Sequence, residues 1–137
     1  MTKTIAFLAG LLMATSAWAQ AGSPSDVTLY GLRLDTGTKT AAATAGAATL
    51  NKDSGKVTSE ALTTAAAATY TLTITNSQVA AADLAFVSIA NGTNSAGSPQ
   101  VQSVTPGAGS LVVVVRNAHA SAAFNGTLVV SFMVLKN

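Results

Sequence analysis

Alternation of apolar and polar positions with period two dominates the chain. It is clearest in "ATYTLTITNS", where Tyr70, Leu72 and Ile74 alternate with Thr69, Thr71, Thr73 and Thr75. An apolar face backed by a hydroxyl face, built largely from β-branched residues, predicts a half-buried strand. "DVTLYGLRL" reads as one strand, with Val27 and Leu29 on one parity and Leu32 and Leu34 on the other. "DLAFVSIA" and "QVQSVTP" read as two more. "SLVVVVRN" and "TLVVSFMVLK" are nearly continuous apolar runs, which predicts strands buried on both faces. "ATLNKDSGKVTSEAL" suggests two short strands around a turn built by Asn51, Asp53, Ser54 and Gly55. Residues 35–48 carry little to bury and read as a loop or weak edge segment. Asn125-Gly126, just before the last strand, is a strong hairpin signal. Seven or eight short strands separated by Gly, Asn, Ser and Pro, with no helical stripe between them, predict an all-β chain. The expected fold is a single antiparallel β-sandwich, jelly-roll-like, over residues 20–137.

The first twenty residues break the pattern. Lys3 supplies a positive start, Ile5 to Ala14 a short apolar run, and Ala17-Trp18-Ala19 a small-x-small cleavage site. That arrangement predicts a secretory signal peptide over residues 1–19, cut near Ala19, and hence a secreted, periplasmic or cell-surface location. The apolar run is too short for a permanent membrane anchor.

Composition narrows the function. Of 137 residues, only 9% are charged, against 49% hydrophobic. A formal net charge of +2 without clustered Lys or Arg argues against a nucleic-acid partner. The chain has no cysteine, so no disulfide staples an exported domain, and its core or partner subunits must hold it. Val-rich, charge-poor strands offer edges that pair with other chains unless covered, so self-association into a homo-oligomer is expected.

Candidate chemistry is sparse. His119, the sole histidine, lies two residues before Ser121, so the two would share a face in a strand. A Ser/His nucleophile also needs an orienting acid, and no acidic residue follows Asp83. Residues 117–123 are therefore expected to form a loop in which His119 packs or caps. One histidine and five scattered carboxylates do not make a zinc centre. Asp35, Asp53, Glu60 and Asp83 are too dispersed in sequence for a calcium loop. Asp53 and Glu60 fit solvated turn residues better than a glycosidase pair. "GAG" at 107–109 lacks the lysine and helix of a phosphate loop. No catalytic residue, cofactor site or metal site is expected, and the chain is read as a non-enzyme. Two NGT tripeptides match a glycosylation sequon and are read as turns. Among the aromatics, Tyr70, Phe86 and Phe132 are expected in the core. Tyr30 and Phe124 are the rings expected to be exposed, which leaves a glycan-binding or adhesive module as an alternative. The interaction surface, if loops carry it, is expected at Asn91, Thr93 and Asn94 together with Asn117, His119, Phe124 and Asn125.

"TSEALTTAA", "YTLTITNS", "GTN", "VTPGAGS" and "VRNAHASAAFNGT", spread over residues 55–135, resemble small proteins encoded in the structural regions of tailed phages and prophages. The resemblance implies a β-sandwich subunit of a virion or tail-associated assembly, without catalysis. The leader departs from that pattern, since virion proteins assemble in the cytoplasm. "SDVTLYGLRLDTG" is similar to the first strand of Gram-negative general porins, and the remaining length would form at most a small outer-membrane barrel. The sequence thus points to an exported structural or assembly subunit.

Overall fold

The computed structural model describes residues 38–137 in full, and the strands Val27–Leu29 and Leu32–Leu34 in their backbone. The expected signal peptide lies outside the described residues, as do Tyr30 and Asp35. Ten strands are present among the described residues, and no helix. β1 (Val27–Leu29) and β2 (Leu32–Leu34) pair as an antiparallel ribbon. What the sequence suggested as one strand is two.

The rest of the chain builds two four-stranded sheets. The first has the order β3 (Thr40–Ala42), β5 (Ser54–Thr58), β10 (Leu128–Leu135), β7 (Leu84–Asn91). The second has the order β4 (Ala47–Thr49), β6 (Thr69–Thr75), β9 (Ser110–Asn117), β8 (Pro99–Gly107). Ala45 and Gly46, both with positive φ (51° and 74°), turn the chain between β3 and β4, where Thr44 and Ala47 exchange backbone hydrogen bonds of 2.8 and 3.0 Å.

Two expectations are corrected here. The sheets are mixed, because β3 runs parallel to β5 and β4 parallel to β6. Asn125-Gly126 does not close a hairpin, because β9 and β10 lie in different sheets. From β3 to β10, every connection changes sheet except β8–β9, whose strands close with Gly107 opposite Ser110. Parallel neighbours follow from this to-and-fro path, since a strand that returns after visiting the other sheet arrives in the same sense.

The alternation seen in sequence sets the core. Leu72 and Ile74 of β6, Leu111, Val113 and Val115 of β9, Val57 of β5, and Val130, Phe132 and Val134 of β10 bury their side chains in one cluster shared by both sheets. Residues of opposite parity face outward. Val112 and Val114 are therefore half-buried, which corrects the expectation of burial on both faces. β9 and β10 are the inner strands of their sheets, so their valine runs are not edges. Burying a side chain of this size stabilises by roughly 1.5–3 kcal/mol, and together they supply the dominant favourable term in the absence of any disulfide.

Candidate functional site

Residues 61–68, 91–98 and 117–127 meet at one end of the two sheets. Leu62 N–H donates to the Gly126 carbonyl at 3.0 Å, Phe124 N–H to the Thr64 carbonyl at 3.0 Å, and Ser95 N–H to Asn125 Oδ1 at 2.8 Å. Both loops expected to carry interactions are thus brought together, against a third stretch that the sequence did not single out.

Asn117 is the hub. It ends β9 and is fully buried. Its Oδ1 accepts the N–H groups of Ser98 (3.0 Å) and His119 (3.2 Å). Its Nδ2 donates to the carbonyls of Thr64 (3.1 Å), Ala65 (3.3 Å) and Ala122 (2.8 Å). A primary amide carries two donors and an acceptor oxygen on one planar group, which is what satisfying backbone from three loops at one point requires.

Asn94, also buried, works the same way. Its Oδ1 accepts Asn125 N–H (2.9 Å), and its Nδ2 donates to Asn91 Oδ1 (3.0 Å) and the Ala96 carbonyl (2.8 Å). Asn125 answers through its own Oδ1, which accepts Ser95 and Ala96 N–H, and its Nδ2, which donates to Ser95 Oγ (3.0 Å). The two NGT tripeptides are more than separate turns. Thr93 N–H donates to Thr127 Oγ1 and Thr127 N–H to Thr93 Oγ1, both at 2.9 Å, so the tripeptides clasp each other. A Cβ on Gly126 would stand 2.6 Å from the Thr93 carbonyl carbon, so the clasp needs glycine there.

His119 caps the same loop: its Nδ1 accepts the N–H of Ser121 (3.1 Å) and of Ala122 (2.8 Å). It meets Ser121 through the backbone, and the serine hydroxyl is not its partner. Phe124 is corrected from an exposed ring to a core residue at 2% exposure. It packs where Gly97, at φ 75°, leaves room, since a Cβ there would come within 2.7 Å of the ring. Phe86 is corrected the other way, at 55% exposure, because its parity on β7 turns it to the outer face of the sheet.

The carboxylates weighed as pairs are committed elsewhere. Glu60 follows β5 and accepts Gly46 N–H (2.9 Å) and the Tyr70 hydroxyl (3.0 Å). Burial, with that hydrogen bond and the Glu60 charge, pushes the Tyr70 phenol far above its ordinary range. Asp53 precedes β5, at the opposite end of the strand. It is buried and faces Lys136 Nζ across 3.6 Å. Lys136 also donates to Asp83 Oδ2 at 2.9 Å. That ammonium, with Ala80 N–H, holds the Asp83 carboxyl below the usual carboxylate range. No group of three or more metal-ligating side chains occurs among the described residues.

Sequence reasoning passed over Asn76, Ser59 and the Asp83–Lys136 pair. Asn76 is fully buried, donates to the Lys52 carbonyl and accepts Gln78 N–H. Ser59 Oγ accepts Leu128 N–H. One signal was available: Asn76 and Asn117 each stand at or just beyond the end of a strand-like run, where a strand's last backbone groups need partners.

A different surface lies on the outer face of the first sheet. Leu84 (61%), Phe86 and Met133 (39%) are exposed there, and a shallow groove of about 280 Å³ runs between β7 and β10, lined by Phe86, Ser88, Ser131 and Met133. Scans against protein-family models, curated proteins and solved structures return no match to this chain.

Proposed function

We propose that this chain is an exported structural or assembly subunit, a non-catalytic sandwich module that works by associating with copies of itself. The observation that carries the reading is the closed hydrogen-bonding of the loop end. Asn94, Asn117 and Asn125 direct their amides at each other's loops, and His119 directs Nδ1 at its own loop. Loops tied in this way make a fixed scaffold, whereas binding and reacting groups need free donors or acceptors pointing outward. The leader motif and the resemblance to phage structural proteins favour export and assembly. A jelly-roll-like wrap belongs to the same proposal, supported by the repeated crossing between sheets.

A glycan-binding reading has less behind it, since Phe124 is in the core. The small-barrel reading sits poorly with two sheets that each end in edge strands, because a barrel has none. Fractionation of cells expressing the full chain, and light scattering of the processed product, test the proposal. The expected result is a soluble multimer in the periplasmic or extracellular fraction. A monomer at micromolar concentration, or extraction only by detergent, contradicts it.

A further inference from the structure

The two sheets have four edges, and three of them are blunted. β3 and β4 are three residues long. β8 carries Pro99 and Pro106 and a register irregularity between Val101 and Ser103. Short strands, prolines and bulges are the devices that keep a sheet edge from pairing with another chain.

β7 has none of them. It is eight residues of LAFVSIAN, without proline, charge or irregular register against β10. At about 3.3 Å per residue it offers an edge roughly 26 Å long. β8 runs beside β7 at this seam, but the two do not pair. The inward residues Val87 and Ile89 are only half-buried, and the outward Leu84 and Phe86 are more than half exposed. Apolar surface therefore flanks this edge on both faces, and Met133 extends it onto β10 opposite Phe86.

We infer that β7 is the self-association edge, pairing antiparallel with β7 of a second copy about a two-fold axis normal to the sheet. The occupant follows from the chemistry of the edge. An unpaired strand is completed by another strand, and antiparallel pairing of identical strands closes with two-fold symmetry. Such pairing makes one eight-stranded sheet from two four-stranded ones and carries the Leu84, Phe86 and Met133 patches into one continuous outer surface. It names the interface for the assembly reading above and rests on that reading.

The test uses the chain from residue 20 onward and three variants: Phe86→Lys, Ser88→Lys and, on the blunted edge, Val101→Lys. All three positions are exposed, so circular dichroism and thermal melts are expected to match the parent. Native mass should fall to that of a single chain for the two β7 variants and stay multimeric for Val101→Lys. Hydrogen exchange should show the β7 amides that point away from β10 protected in the parent and unprotected in Phe86→Lys, while those bonded to β10 stay protected in both. A parent that is multimeric while both β7 variants keep its mass overturns the edge assignment and leaves the assembly reading standing. A monomeric parent overturns both. If removing residues 20–37 alone strips protection from those outward-pointing β7 amides, the occupant is the chain's own β1–β2 ribbon and the inference fails.

Discussion

The two ends of the sheets are held by different chemistry. At one end, where β7 finishes and β10 begins, the fold is closed around neutral amides and hydroxyls, Asn94, Asn117 and Asn125 with the Thr93–Thr127 clasp, and His119 caps one loop of it. At the other, where β7 begins and β10 finishes, the closure centres on charge: Lys136 between Asp83 and Asp53, with Asn76 nearby in the same set of turns. Neutral amides keep their hydrogen-bonding roles at every accessible pH and in salt. Ion pairs do not, because carboxylates titrate and partly exposed charges are screened. The amides and hydroxyls of the first end thus form a permanent cage, while the second end is a clamp that responds to its medium.

Breaking the hub of the cage should have the largest effect. Asn117→Ala removes acceptors for two N–H groups and donors for three carbonyls at a fully buried point. A loss of about 3 kcal/mol is expected, read by urea unfolding. Gly97→Ala comes next, at about 2 kcal/mol, because the position combines φ 75° with close approach to the Phe124 ring. Its thermal melt should drop while Gly109→Ala, with the same sign of φ but open space around it, drops less.

The clamp should give smaller and conditional effects. Asp83→Asn is expected to cost about 1 kcal/mol, since Lys136 remains partly solvated. Its sign with pH is fixed. The Asp83 carboxyl is depressed in the folded state, so its contribution is complete above the unfolded value of about 3.9 and fades as pH falls below it. Parent and variant melts should therefore converge on acidification, and high salt should narrow the gap at neutral pH. The finest test is the clasp: a double-mutant cycle of Thr93→Ala and Thr127→Ala should return a coupling of about 0.5 kcal/mol.

How far the sequence foretold these features follows from the range of the interactions. Alternation at Tyr70, Leu72 and Ile74 is local, and it yielded the β6 strand and its buried parity. The Val-rich runs were legible as strands, but not as the inner strands of two different sheets. Their position depends on partners far away in sequence, such as Leu128 opposite Asn91 and Tyr70 opposite Val115. The Asn125-Gly126 signal misled for the same reason. Its backbone is held by Thr93, Asn94 and Leu62, and a hairpin rule sees only neighbours. Both loops of the cage were singled out, while their mutual clasp and the third stretch at 61–68 were not. Phe86 was misplaced because LAFVSIAN carries apolar residues on both parities, so its alternation does not say which face turns inward.

The side-chain amides of Asn94 and Asn117 test the permanent cage most directly. In ¹H–¹⁵N spectra their NH₂ protons should be individually resolved and exchange slowly with water. They should stay so on acidification through the range in which the Asp83–Lys136 clamp is lost. Exchange as fast as that of the exposed Asn51 and Asn137, or loss of protection together with the clamp, would contradict an end of the molecule closed by its own amides.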